Sequence, residues 1–161
     1  MNIVIANRQR TKKINQRLLK RITGELLAEL EIEGVEIGIN LVGAREMAAL
    51  NWDFLGHEGS TDVITFDYSE KRKAESGKRK CLHGEIFVCV DEASLQAKKF
   101  KTKWQPEIVR YIVHGILHLL GHDDLKPDLR RKMKREENRL LRGLSQKFSL
   151  AQTGGGSKLR S

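Results

Sequence analysis

One segment constrains the fold of this chain more than any other, an almost unbroken apolar run from Ile108 to Leu120. Pro106 ahead of the run suits the first turn of a helix, and Gly121 behind it suits the residue that ends one. The run therefore predicts a helix buried around most of its circumference, which other elements must cover. With 161 residues and only two cysteines, the chain is long enough to build such a core without disulfides.

Strands and helices are also predicted on both sides of this helix along the sequence. Their order predicts an α+β fold, in which a small mixed β-sheet packs with helices and the helix of the apolar run is buried against the sheet. We expect residues 1–148 to form a single domain and residues 149–161, rich in Gly and Ser, to form a flexible tail. Apolar spacing predicts strands at 2–6, 35–41, 61–68 and 86–90 and further helices at 11–31, 43–51, 91–100 and 127–144.

Two histidines on the predicted buried helix indicate a metal site. His114 and His118 are four residues apart, which places them about 40° apart around a helix axis and ~6 Å apart along it, so that both imidazoles can reach one ion. Zinc suits such a zincin-like helix, because three protein ligands leave a fourth position for a water that ionises near neutral pH. The alternative is a hydrogen-bonded pair of core histidines. Candidates for a third ligand are His122, Asp123 and Asp124 in the following loop, and His57, His83 and Glu85 elsewhere.

Residues 114–121, HGILHLLG, resemble the HGxLHLxG motif of the bacterial YbeY family, the ribosomal-RNA maturation endoribonucleases. The resemblance extends over residues 1–145 and includes TDVITF at 61–66, beside the family's TDVLSF, and GEIF at 84–87. It implies one zinc ion bound by HxxxHxxxxxH. It also implies a single-strand endoribonuclease in late maturation of small-subunit (16S) rRNA and in ribosome quality control. The implied partners are ribosomal RNA and the small ribosomal subunit with its proteins, and no DNA is expected.

This chain departs from the family pattern at two positions. The pattern places its first two metal ligands on His114 and His118. Its third histidine falls on position 124, where this chain has Asp124. An aspartate still ligates zinc but leaves the site less positive, so a bound water should be less acidic. His122 is the rival ligand or a proton carrier. Leu55 stands where the family usually has an arginine, and leucine cannot brace a phosphate as an arginine fork does.

The basic residues indicate how RNA would be held. The net charge is +9, and the excess is concentrated at residues 8–21, 71–80, 98–103 and 130–135. Such clusters give salt-sensitive, largely sequence-independent affinity for phosphates, although a basic surface without a partner is the alternative. No apolar run approaches the ~18 residues of a membrane helix, and free thiols fit a reducing compartment, so we expect a cytoplasmic protein without a membrane partner. The candidate substrate-binding residues are His57, Lys71, Arg72, Lys98 and Lys99.

Two other functions are considered. A metalloprotease would need glutamate directly after the first histidine as general base, and Gly115 occupies that position. A non-catalytic ribosome-assembly or RNA-binding factor with a metal site is the stronger alternative, since Asp124 and Leu55 both depart from the nuclease pattern. The attacking nucleophile is left open between water and the RNA 2′-hydroxyl, and no catalytic residue is assigned.

Overall fold

The computed structural model describes residues 1–69 and 81–155. Its four strands are β1 (Asn2–Asn7), β2 (Gly34–Val42), β3 (Val63–Asp67) and β4 (Cys81–Cys89). They form one sheet in the order β1-β2-β4-β3. β1, β2 and β4 are parallel, and β3 runs antiparallel to β4 at one edge. The small mixed sheet confirms the predicted α+β fold.

The described residues form five α-helices, which are α1 (Gln16–Glu29), α2 (Ala44–Leu55), α3 (Val90–Phe100), α4 (Trp104–Leu119) and α5 (Pro127–Lys147). The order of strands and helices is the predicted one. The predicted first helix, 11–31, is too long at its start. Asn15 sets the true boundary, because its side chain accepts a hydrogen bond from the backbone N–H of Leu18 at 3.1 Å, as N-cap residues do.

The α4 helix carries the apolar run and packs against the sheet. Ile108, Val113, Ile116 and Leu117 are completely buried in the main core. Gly115 faces Ile86 of β4 so closely that a Cβ at position 115 would lie 2.8 Å from Cγ2 of Ile86. The helix is therefore pressed against the sheet at the very turn that carries the two histidines.

A left-handed glycine ends α4 and turns the chain back. Gly121 has a φ of 101°, which an L side chain rarely adopts. Its N–H donates to the carbonyl of His118, and the N–H of His122 donates to the carbonyl of Leu117, both at 3.0 Å. This pair of bonds is the Schellman motif, and it directs the following loop back over the last turn of the helix.

The predicted flexible tail starts too early. Leu150–Thr153 form a 3-10 turn in which Thr153 is fully buried and Leu150 is 8% exposed. The backbone continues this packing, since Asn15 donates to the carbonyl of Thr153 at 2.7 Å and Gly155 donates to that of Lys13 at 2.9 Å. Residues 149–155 are thus part of the packed domain, because buried side chains and backbone pairing outweigh a flexible composition. Residues 156–161 lie outside the described residues.

Among residues 1–69 and 81–155, no helix has both the length and the apolar character needed to cross a membrane.

The close approach at Gly115 leads to a stability prediction. Gly115→Ala should lower the free energy of unfolding by about 1–3 kcal/mol, because the added methyl group overpacks against the stiff, buried Ile86. The matched control is Gly143→Ala on the exposed side of α5, where a Cβ meets nothing within 4 Å. That change should stabilise the protein by about 0.5–1 kcal/mol. Urea unfolding of both variants measures the difference, and equal effects would refute the packing argument.

Candidate metal centre

Three predicted ligands converge at the C-terminal end of α4. Nε2 of His114 and Nε2 of His118 are 3.1 Å apart. Oδ2 of Asp124 lies 3.7 Å from Nε2 of His114 and 3.5 Å from Nε2 of His118. The helix places the two imidazoles one turn apart, and the turn at Gly121 returns Asp124 to them. Three donor atoms from eleven consecutive residues therefore face one point.

These separations suit a single ion. Two ligand atoms that each lie about 2.1 Å from a tetrahedral zinc ion are about 3.4 Å apart, which is within the range of the three measured distances. The side chains of His114, His118 and Asp124 are partly exposed, at 27%, 28% and 38%. One side of the cluster is thus open, so a fourth position would remain accessible to water or substrate. The donor set of two imidazoles and one carboxylate fits zinc.

A buried carboxylate lies behind His114. Oε2 of Glu137, on α5, is 2.5 Å from Nδ1 of His114, and the Glu137 side chain is only 6% exposed. A carboxylate accepts hydrogen bonds, so Nδ1 carries the proton and the lone pair of Nε2 faces the other two donors. Arg110 adds a second contact to Glu137, at 3.4 Å, and donates to Asn138 at 3.0 Å. The buried negative charge is therefore shared between two partners.

The same contacts change the pKa of His114. Burial alone would lower it, but the hydrogen bond and charge of Glu137 raise it, with smaller contributions from Asp62 and Asp124, and the net shift is upward. A proton and a metal ion therefore compete for Nε2 of this residue, because only the neutral imidazole is a ligand.

The cluster lies between two cavities that differ in their charged residues. A cavity of about 680 Å³ runs from His114 and Asp124 along α5, and its lining includes Arg110, Arg130, Arg131 and Lys134. A smaller one, of about 340 Å³, extends from the same ligands along β3 and includes Leu55 and Thr65. Asp62 borders both cavities. An extended substrate could thus pass the cluster from one cavity to the other.

The other candidate ligands are not brought to this point. Within the described residues, the only group of metal-binding side chains is His114, His118 and Asp124. Asp123 accepts the N–H of Leu125 at 2.9 Å, and His83 lies 3.6 Å from Glu36 on the sheet. Glu85 accepts a hydrogen bond from Tyr68. The role of His122 as a rival ligand or proton carrier stays a prediction, and His122 is outside the three-residue cluster.

The candidate substrate-binding residues are dispersed. His57 is exposed beyond the end of α2, and it borders neither of the two cavities. Lys98 and Lys99 are exposed on the last turn of α3, and Lys98 lines a separate groove with Lys12 and Lys103. Lys71 and Arg72 lie outside the described residues.

The sequence interpretation missed Glu137, Arg110 and Asp62 as members of this centre. Glu137 had a recognisable signal, since it falls on the apolar face of α5 at helical spacing from Met133 and Leu140. An acid among buried apolar positions needs a partner, and the partner is the histidine. Asp62 has no comparable signal beyond its place in the TDVITF segment.

The contact between Glu137 and His114 leads to a prediction about metal affinity. Glu137→Gln should weaken zinc binding by about 10- to 100-fold, because an amide can donate to Nδ1 and favour the tautomer with its proton on Nε2. Competition with a chromophoric chelator measures the dissociation constant.

The neighbouring residue supplies the matched control. Glu136 pairs with Arg139 on the exposed side of the helix, at 2.6 Å. Glu136→Gln removes the same charge and should leave zinc affinity unchanged. If both variants lose affinity equally, overall charge and not the contact with His114 is responsible.

The chain is similar to known proteins over most of its length. A sequence model of the family described as Endoribonuclease YbeY matches residues 4–145. The chain is 36% identical over 142 residues to an endoribonuclease YbeY of Chlorobium phaeovibrioides, covering 88% of this chain and 90% of that protein. It is 31% identical over 144 residues to one from Chlorobium luteolum, covering 89% and 98%.

A solved structure has the same fold. The solution structure of TM1509 from Thermotoga maritima matches 98% of this chain and 99% of its own, with a TM-score of 0.66 at 24% identity. The sequence match spans the sheet, the helix with the histidine pair and most of α5. The chain belongs to the YbeY family.

Proposed function

We propose that this protein is a zinc-dependent endoribonuclease that cleaves single-stranded RNA. The observation that carries the proposal is the convergence of His114, His118 and Asp124 at a point open to two cavities. The relatives named endoribonuclease YbeY support the choice of RNA as substrate.

The protein's own residues would hold and orient the metal centre. His114 and His118 bind through Nε2 and Asp124 through a carboxylate oxygen, while Glu137 keeps the proton of His114 on Nδ1. Bound zinc would supply a Lewis acid for a phosphoryl oxygen and lower the pKa of a coordinated water. Asp124 makes the centre less positive than three histidines would, so that water should be less acidic than in relatives with a third histidine.

We place the proposed activity in late maturation of small-subunit (16S) rRNA and in ribosome quality control, in the cytoplasm. The small ribosomal subunit and its proteins are the proposed partners. The family supports this assignment, and the clustered basic residues support an RNA substrate. His57, Lys71, Arg72, Lys98 and Lys99 stay proposals for further contacts to RNA.

A second candidate function is that of an assembly factor that binds RNA without cutting it. One observation favours it, because Leu55 lines the same β3-side cavity as His114, His118 and Asp124. The family that the chain resembles usually has an arginine at this position. An apolar side chain there cannot hold a phosphate.

The first test of the proposed function is cleavage of a structured ribosomal RNA fragment. The zinc-loaded protein should cleave it, and cleavage should fall to the level of the protein-free control in the presence of a chelator or after His114→Ala. Cleavage that persists in both conditions would identify a contaminating nuclease. Binding without cleavage would support the assembly factor instead.

The second test addresses the ligand set. His114→Ala and Asp124→Ala should each reduce the zinc content of the purified protein, measured by mass spectrometry of the metal, because each removes one of three protein ligands. Asp124→His should retain zinc and bind it at least as tightly, since it restores the third histidine. Undiminished zinc in the Asp124→Ala variant would contradict the assignment of Asp124.

A further inference from the structure

We propose that the first turns of α5 form the phosphate-binding subsite of the metal centre, with Arg130, Arg131 and Lys134 holding the backbone of single-stranded RNA. The proposal rests on the proposed function for its substrate. It adds which side of the centre receives the phosphates, and it assigns the role of the absent family arginine to a different element.

The three side chains share a cavity with the metal ligands. Arg130, Arg131 and Lys134 line the cavity of about 680 Å³ that also contains His114 and Asp124. Nη1 of Arg130 donates to the backbone carbonyl of Asp124 at 3.2 Å. This bond places a guanidinium directly beside a residue of the metal centre, within reach of a phosphodiester held there.

The three side chains are exposed, and none of the acids that share their cavity is an ion-pair partner of theirs. The cavity lining also contains four acids, Asp62, Glu107, Asp124 and Glu137. Glu107 and Glu137 both contact Arg110, and the carboxylate of Asp124 faces the two histidines. Within residues 1–69 and 81–155, no carboxylate pairs with Arg130, Arg131 or Lys134. Three exposed cations without an ion-pair partner among the described residues therefore line one side of the centre, and such cations release counterions when they bind a phosphate backbone.

The cavity on the opposite side of the centre, along β3, lacks basic side chains in its described lining. The described lining of the β3-side cavity contains no Lys or Arg and consists of Leu55, Asp124, the two histidines and residues 61–65. A phosphate chain entering there would meet Leu55 and no cation from this lining, whereas Asp62 borders both cavities and does not distinguish them. The polarity of the site thus favours phosphates along α5 and uncharged sugar or base groups toward β3.

Helical spacing divides the basic cluster 130–135 into two faces. Positions 130, 131 and 134 lie on one face and line the cavity, whereas Lys132 and Arg135 are exposed and do not line it. Arg142, farther along the same helix, is also exposed and outside the cavity. The chain therefore offers a control set with the same charge on the same helix.

The experiment compares two triple variants of the zinc-loaded protein. One carries Arg130→Ala, Arg131→Ala and Lys134→Ala, and the control carries Lys132→Ala, Arg135→Ala and Arg142→Ala. Fluorescence anisotropy with a labelled 12-nucleotide single-stranded RNA gives the dissociation constant over a series of salt concentrations. The cavity variant should bind about tenfold more weakly or worse at low salt. The logarithm of its association constant should also fall less steeply with the logarithm of the salt concentration. The magnitude of this slope should drop by about 2, since each of the three lost phosphate contacts removes about 0.7.

The control triple variant should keep most of the affinity and the salt slope of the wild type. Equal losses in the two variants would overturn the proposal, because net charge and not position would then matter. Circular dichroism and zinc content check that each variant is folded and loaded. If the cavity triple variant fails these checks, the double variant Arg131→Gln/Lys134→Gln is compared with Lys132→Gln/Arg135→Gln, and the same criterion applies.

Cleavage of the ribosomal RNA fragment separates this proposal from the proposed function. If the wild type binds RNA but does not cut, and only the cavity variant loses binding, the subsite is supported and the nuclease is refuted. If the wild type cuts and the two triple variants bind alike, the nuclease stands and the subsite is refuted. A wild type that does not bind RNA refutes the subsite.

Discussion

The contact between Gly115 and Ile86 determines how the rest of the molecule is arranged around α4. With no side chain at position 115, the helix lies directly on β4, and its apolar residues enter the core. The histidines at 114 and 118 are then left at the partly exposed end, where they face the loop, α5 and the cavity along β3. The same contact explains why a protease-type glutamate cannot stand at position 115, since that position faces a buried isoleucine.

Much of the fold could be predicted because its determinants are local. The apolar run of α4, the alternation in β2 and the glycine after α4 each identify an element from neighbouring residues alone. The predicted element boundaries are wrong where contacts between residues distant in the sequence determine the structure. Asn15 starts α1 later than its apolar spacing suggests, and residues 150–155 are packed because they pair with residues 13–15. Composition alone cannot reveal such pairing.

The candidate site likewise contains residues that local sequence predicts and residues that only the packing of distant elements identifies. His114 and His118 are predictable from helical spacing, and the family pattern selects Asp124 from three neighbouring alternatives. The local pattern identifies Glu137 as a buried acid but not its partner, because its contact with His114 joins residues that are 23 positions apart on two helices. The basic cluster 130–135 could be located, but which of its residues border the cavity depends on how α5 packs against α4.

The hydrogen bond between His114 and Glu137 also has a thermodynamic consequence. It joins α4, which carries the candidate ligands His114 and His118, to α5, which carries basic side chains in the neighbouring cavity. A ligand that binds only when this contact between the two helices is formed stabilises the contact by mass action. In the proposed zinc-bound protein, metal binding and the packing of α5 against α4 are therefore linked equilibria. A bound metal would stabilise the contact between the two helices, and a change that separates α5 from α4 would lower the affinity for the metal.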